Sequence, residues 1–177
     1  MSQTITRLFD DYSHASSAVS ELEALGIPHS DISIIANDAH GIHSAREGVN
    51  DDGDVTRGTS TGAALGGGAG LLAGLGLLAI PGLGPIVAAG WLAATAAGAA
   101  IGAIGGAATG GIVGALKNAG HTDEEANVYS EGVRRGGTLV SAKVSSDKVA
   151  QAEAVLNNKS ADIVERGNAY RSKGWDR

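Results

Sequence analysis

Apolar and polar positions along the chain change period several times, and each change marks an element. QTITRLF (3–9) alternates and is rich in β-branched residues, which predicts a strand. From Tyr12 to Leu25 the apolar residues fall at Ala15, Ala18, Val19, Leu22 and Leu25, a helical period. Ser13 is placed to cap that helix, Gly26 to close it and Pro28 to stop it. DISIIA (31–36) predicts a second strand. Further on, His121-Thr122-Asp123-Glu124-Glu125 opens a helix, with Thr122 as cap and acids in the first turn, ending near Arg134-Arg135-Gly136-Gly137. TLVSAKV (138–144) predicts a third strand. Ser146 is placed to cap a helix with Val149, Ala152, Val155 and Leu156 at helical spacing, and ADIVE (161–165) predicts a fourth strand.

The segment between these halves has a different texture. From Gly58 to Leu116 there is no charged residue, and Arg57 and Lys117 bracket the stretch. Its middle, Pro81-Gly82-Leu83-Gly84-Pro85, is a strong turn signal. Glycine recurs at Gly58, Gly62, Gly66, Gly70 and Gly74 before the turn. After it, glycine falls at Gly90, Gly98, Gly102, Gly106, Gly110 and Gly114, with Ala94 in the gap. Residues four apart share a helix face, so the spacing predicts two arms, 58–80 and 86–116, each with a nearly bare stripe. Such stripes let helix backbones approach closely, the small-xxx-small packing used in membranes. At 1.5 Å per residue the arms reach about 34 Å and about 46 Å, enough to cross a hydrocarbon core of about 30 Å. The first arm sets seven strongly apolar residues against eight glycines, so each arm alone inserts marginally and pairing favours it. The segment resembles the glycine-zipper hairpins of bacterial envelope proteins.

Removing that hairpin and its trailing helix leaves β-α-β-β-α-β. The expected fold is therefore α+β, a ferredoxin-like split β-α-β sandwich interrupted by a long Gly/Ala-rich helical hairpin. Residues 1–57 hold the first half of the module and a polar loop, 58–116 the hairpin with its turn at 81–85, and 117–177 the second half with a basic tail.

Charge and composition narrow the function. The 177 residues include 28 glycines, aromatics are 3%, cysteine is absent and the formal net charge is −6. No cysteine means no disulfide framework and no thiolate nucleophile, and it fits a reducing compartment. The N-terminal MSQTITRLFDDYSHA lacks an apolar core and does not read as a secretory signal. Residues 1–57 carry ten Asp/Glu against three Lys/Arg, which argues against nucleic acid as a partner.

Two stretches are similar to known proteins. TITRLFDDYSHASSAVSELEALGIPHSDISIIAND resembles the N-terminal module of the heat-induced stress proteins, the YflT-like general stress family, in its strand, its helix ending in Leu-Gly-Ile and its "dIsvia" strand. HTDEEANVYSEGVRRGGTLVSAKV resembles the second half of related bacterial proteins. The resemblance implies a bacterial, cytoplasm-facing, stress-linked protein. It implies no chemistry that transfers to particular residues.

Candidate chemistry is sparse. Asp38, His40 and His43 carry side chains suited to a divalent metal, but no helix fixes their spacing, and they read as a polar connector. Asn50-Asp51-Asp52-Gly53-Asp54 lacks the Glu an EF-hand needs at its twelfth position. Gly66-Gly67-Gly68-Ala69-Gly70 lacks the partners of a phosphate loop. No nucleophile–base pair stands out, and no cofactor is expected. Tyr170, Arg171, Lys173 and Trp175 in the tail, and Trp91 past the turn, are residue types that sit at bilayer interfaces. The tail also reads as a solvated terminus, and Trp91 as filling for the hairpin tip. The expectation is a non-enzymatic structural protein whose partners are itself and the lipid bilayer. Its hairpin is inserted in or bound to the cytoplasmic membrane, and its α/β module faces the cytoplasm. A soluble ring or filament with the hairpins as its dry core is the alternative, and a small-ligand or metal sensor a weaker one.

Overall fold

The computed structural model describes residues 2–37, 76–80, 84–95 and 111–176, without the side chains of 76–80, 84 and 85. It is a mixed α and β body built on an antiparallel sheet. The strands are β1 (Ser2–Phe9), β2 (Ile32–Asn37), β3 (Gly76–Ile80), β4 (Gly84–Gly90) and β5 (Thr138–Ser145). The helices are α1 (Tyr12–Ala24), α2 (Gly111–Asn118), α3 (Asp123–Arg134), α4 (Val149–Asn157) and α5 (Ile163–Ser172), with a 3-10 turn at His29–Asp31 and helical residues at 91–95. The strand order is β1-β5-β2-β4-β3, every neighbour antiparallel. β1 and β2 are thus parallel to each other with β5 between them.

Side-chain alternation sorts the sheet into two faces. Ile5, Phe9, Ile34, Val140, Ala142 and Val144 meet Ala15, Val19 and Leu22 of α1 and Ala152 and Leu156 of α4. On the other face Leu8, Ile35, Ile86, Ala88 and Leu139 meet Leu92, Ile112, Leu116, Ala126, Tyr129 and Val133. All of these are at least nine-tenths buried. The body therefore has three layers, with α1 and α4 on one side and residues 91–95, α2 and α3 on the other.

Three expectations need correction. Residues 76–80 and 84–90 are strands, not the ends of two helical arms, and they pair antiparallel with each other. The glycine period itself marks this: one step past Gly74 stands Leu78, and one step before Gly90 stands Ile86. A short apolar run bounded by turn residues fits a buried strand as well as a helix. β4 completes it by pairing with β2, and Pro85 lies beyond the last β2 pair, Asn37 with Ile86. Second, the strand expected at 161–165 shrinks to one bridge, Leu8 with Ala161. Asp162 then caps α5, its side chain accepting from the N–H groups of Val164 (2.8 Å) and Glu165 (3.0 Å). Third, two caps move. α1 begins after Asp11 rather than Ser13, and α4 after Lys148 rather than Ser146. By contrast, Thr122 and Glu125 form the full reciprocal capping box of α3.

The outer edge of β1 is partly closed. The Thr6 carbonyl accepts from the Tyr129 hydroxyl (2.9 Å) and the Arg7 guanidinium (2.8 Å), and the Leu8 carbonyl accepts from the Ala161 N–H (2.7 Å). Occupied edge carbonyls leave less of a template for another strand.

Gly90 is a backbone-contact position rather than part of a helix-packing stripe. It closes β4 at φ +91°, and a Cβ there would lie 2.1 Å from the Ile32 carbonyl oxygen. Gly120 shares the left-handed conformation, at φ +100°, but has open space around it. In urea denaturation Gly90→Ala should cost about 2–4 kcal/mol, from strain plus a backbone clash. Gly120→Ala should cost only about 1–2 kcal/mol. Equal losses would contradict the close approach of β4 to β2.

Candidate functional site

The face of the sheet under α2 and α3 carries a polar row. Thr6 pairs with Ser141, Ser141 with Ser33 and Ser33 with Gly90, so three hydroxyls and a bare glycine lie in line across four strands. Thr6 and Ser141 are 0% exposed and Ser33 is 1% exposed, so each hydroxyl needs a protein partner. Ser33 donates to the Ala89 carbonyl at 2.7 Å and lies 3.4 Å from the Ala93 N–H, which ties the start of the 91–95 helical residues to β2. Thr6 Oγ1 and Ser141 Oγ are 2.9 Å apart.

His121, at the elbow between α2 and α3, completes the row. Its Nε2 is 2.8 Å from Thr6 Oγ1, and its ring meets Tyr129 edge-on at a centroid distance of 5.6 Å. Its Nδ1 faces Glu125 Oε2 at 3.7 Å. The imidazole is 14% exposed. Burial holds its pKa below the usual histidine range; Glu125 pulls it back up in part, and Arg7 adds to the lowering. Glu125 in turn is lowered, first by the Thr122 N–H bond of the capping box. Burial raises the Tyr129 phenol. The array Glu125–His121–Thr6–Ser141 has the order of a proton relay. Its hydroxyls have no exposed surface, so in this conformation the array pins α3 to β1 and β5 and presents no nucleophile to solvent.

At the rim, Lys143 on β5 stands two positions past Ser141. Its Nζ sits 4.0 Å from the centroid of the Trp91 ring, a cation–π contact. The Trp91 indole N–H is buried and has no hydrogen-bond partner among the described residues.

A second polar cluster joins α3 to α5. Glu131, 6% exposed, accepts two bonds from Arg134 (2.7 and 2.6 Å) and one from Arg135 (2.6 Å). Burial pushes the Glu131 carboxyl up, but the two guanidinium groups outweigh it and hold the pKa below the ordinary range. The Arg135 guanidinium also stacks 4.6 Å over Tyr170, which Trp175 meets edge-on at 6.0 Å.

The residues expected to matter are dispersed. Tyr170 is buried, Arg171 pairs with Glu124, and Trp175 folds back so that its N–H reaches the Tyr170 carbonyl at 3.1 Å. These three tail residues are thus engaged within the body, while Lys173 is exposed at the end of α5. Gly84 and Pro85 open β4, and Gly114 lies in α2. Pro81, Gly82, Asp38, His40, His43, the 50–54 acidic run and the glycines at 58, 62, 66, 70, 74, 98, 102, 106 and 110 lie outside the described residues. Among the described residues no group of three or more metal-ligating side chains is placed to hold an ion. The polar row was overlooked in the sequence, although its members are there: a hydroxyl sits among apolar strand residues at Thr6, Ser33 and Ser141.

Comparison of the chain with family models, with curated proteins and with solved structures returns no match. The stress-protein resemblance therefore rests on the stretches quoted above.

Loss of the central hydroxyl should cost more than loss of the terminal one. Thr6→Val strands both His121 Nε2 and Ser141 Oγ in a buried setting and should destabilise by about 2–3 kcal/mol in chemical denaturation. Ser141→Ala leaves the Thr6–His121 bond in place and should cost about 1 kcal/mol.

Proposed function

We propose that this is a non-catalytic, stress-linked bacterial protein that self-associates through its glycine-spaced stretches, 58–75 and 96–110, at the cytoplasmic membrane. The observation that carries this reading is the run from Gly58 to Leu116 without a single charge, in a chain whose two flanks close into one sheet. With β3 and β4 docked on β2, the tip of the expected hairpin belongs to the sheet edge, and the association role narrows to the stretches on either side. Among the described residues no helix is long and apolar enough to cross a membrane. In this proposal the body is a ferredoxin-like split β-α-β unit whose fourth strand is reduced to the Ala161 bridge, and it faces the cytoplasm. The β1-β5-β2 order supports the plan. The stress linkage is supported by the resemblance alone.

The test is fractionation of the untagged chain with an alkaline carbonate wash, run beside Gly102→Leu and Gly106→Leu. Membrane retention that only detergent reverses is the expected result. The leucine variants should lose assembly while circular dichroism of the α/β body stays unchanged. A detergent-free, soluble particle would instead place the same glycines in a protein-only ring or filament. Normal assembly of both variants would remove the glycine stripe from the account.

A further inference from the structure

We infer that His121 is a pH-operated latch: in its neutral form it holds the α2–α3 elbow to the sheet, and its protonation releases that elbow. The latch lies outside the reading above and does not depend on what the uncharged segment associates with.

The elbow consists of Ala119, Gly120 and His121. Its backbone is turned by the left-handed Gly120 and by bonds from the N–H groups of Ala119, Gly120 and His121 back to the last turn of α2. Its polar side-chain contact with the sheet is His121 on Thr6. The neighbours assign the tautomer. Nδ1 faces the Glu125 carboxylate and so carries the proton, which leaves Nε2 to accept from the Thr6 hydroxyl. Thr6 Oγ1 then accepts from Ser141 Oγ–H, and every hydrogen in the row has a destination.

A proton added at Nε2 reverses the row. Nε2 becomes a donor, Thr6 must turn its hydrogen toward Ser141, and Ser141 must turn its own hydrogen away. Ser141 is 0% exposed, and Thr6 Oγ1 is its hydrogen-bond partner among the described residues, so the displaced hydrogen is stranded. The charged ring also has to stay where it is largely shielded from water.

The charges around the ring come from every element that packs on it. From β1, Arg7 opposes the imidazolium. From α3, Glu125 favours it, while the positive N-terminal end of that helix opposes it. From α2, Lys117 is neutralised by Asp123 at 2.5 Å. From β5, Lys143 stands two positions past Ser141 and is held over Trp91. Among the described residues Glu125 is the charged group that favours the imidazolium, and burial outweighs it.

Folding lowers the imidazole's pKa, so as pH falls below about 6.5 the released form takes up the proton first. The latch is therefore at full strength near neutrality and weakens as pH falls through the depressed value. Each unit of depression corresponds to about tenfold in the opening equilibrium once pH lies below both values. Opening uncovers the buried face of α2, Ile112, Ala115 and Leu116, at the end of the uncharged segment.

The test is amide hydrogen exchange of the full chain, corrected for intrinsic exchange, between about pH 7.5 and about pH 5. Protection over 111–121 should be progressively lost relative to α1, which packs on the opposite face of the sheet. His121→Gln keeps an acceptor for Thr6 but does not titrate, and it should hold the ratio constant across the range. If that variant does not fold, Thr6→Val serves: its elbow should be poorly protected already at the higher pH and insensitive to acid. A constant ratio in the wild-type chain overturns the latch, and so does an unchanged pH response in either variant.

Discussion

The placement of β5 between β1 and β2 is the constraint on which the rest of the fold depends. β1 and β2 are joined through α1 and run parallel, separated by one strand's width, so they cannot pair with each other and are joined only through a third strand laid between them. That strand begins about 100 residues past Asn37. Loop-closure entropy grows only logarithmically with length, by about 0.6 kcal/mol per doubling, so so long a detour costs little more than a short one. This is why a large uncharged segment can sit inside a small α/β body. The detour also returns to the sheet once on its way: β4 pairs with the far edge of β2, and residues 91–95, α2 and α3 then cover the face opposite α1 and α4.

The hydroxyl row acts on this constraint as a register pin. A one-residue slip of β5 against β1 would set Val140 or Ala142 beside Thr6 and move the whole apolar set of the strand to the wrong face. The Thr6–Ser141 pair is satisfied in the observed register, and His121 reads the same register from the helix layer. The net contribution of each bond is modest, about 1 kcal/mol, but the penalty for a stranded partner is larger. The row thus discriminates against alternatives more than it stabilises the native state. Gly90 continues the same line by having no side chain, which lets β4 approach the backbone of Ile32.

Legibility in the sequence followed how local each determinant was. β1, α1, β2, α3 and β5 were readable because period, caps and Gly stops lie within each segment. The capping box of Thr122 and Glu125 was readable residue by residue. The β3–β4 hairpin was not, because Leu77 to Ile80 and Ile86 to Ala89 are apolar without a deciding period, and the free edge of β2 made the choice. α5 was mistaken for a strand because Ile163 and Val164 are β-branched, while Asp162, the residue that decides, acts through two backbone N–H groups that a strand would have used otherwise. The polar row was hidden for a different reason. A single Ser or Thr in a strand reads as a solvent-facing position, and only the pairing of three strands shows the hydroxyls meeting under a helix layer.

Ion pairs bear on how the body can meet a membrane. Arg166 pairs with Asp10 and Arg171 with Glu124, Glu131 takes Arg134 and Arg135, and Lys117 takes Asp123. Arg166 and Arg171 of the tail and Arg134 and Arg135 of α3 are therefore matched within the body, where Arg166 and Arg171 fasten α5 to the turn after β1 and to α3, while Lys173 is exposed. The exposed pairs among these, Arg166 with Asp10 and Arg171 with Glu124, contribute little, about 0–1 kcal/mol each, so anionic headgroups would compete for them at small cost and with little gain. Attraction to lipid through the tail is consequently weak, and it falls further at physiological salt. The membrane contact proposed above would therefore rest on apolar contact, for which the glycine-spaced stretches 58–75 and 96–110 carry no charge to desolvate.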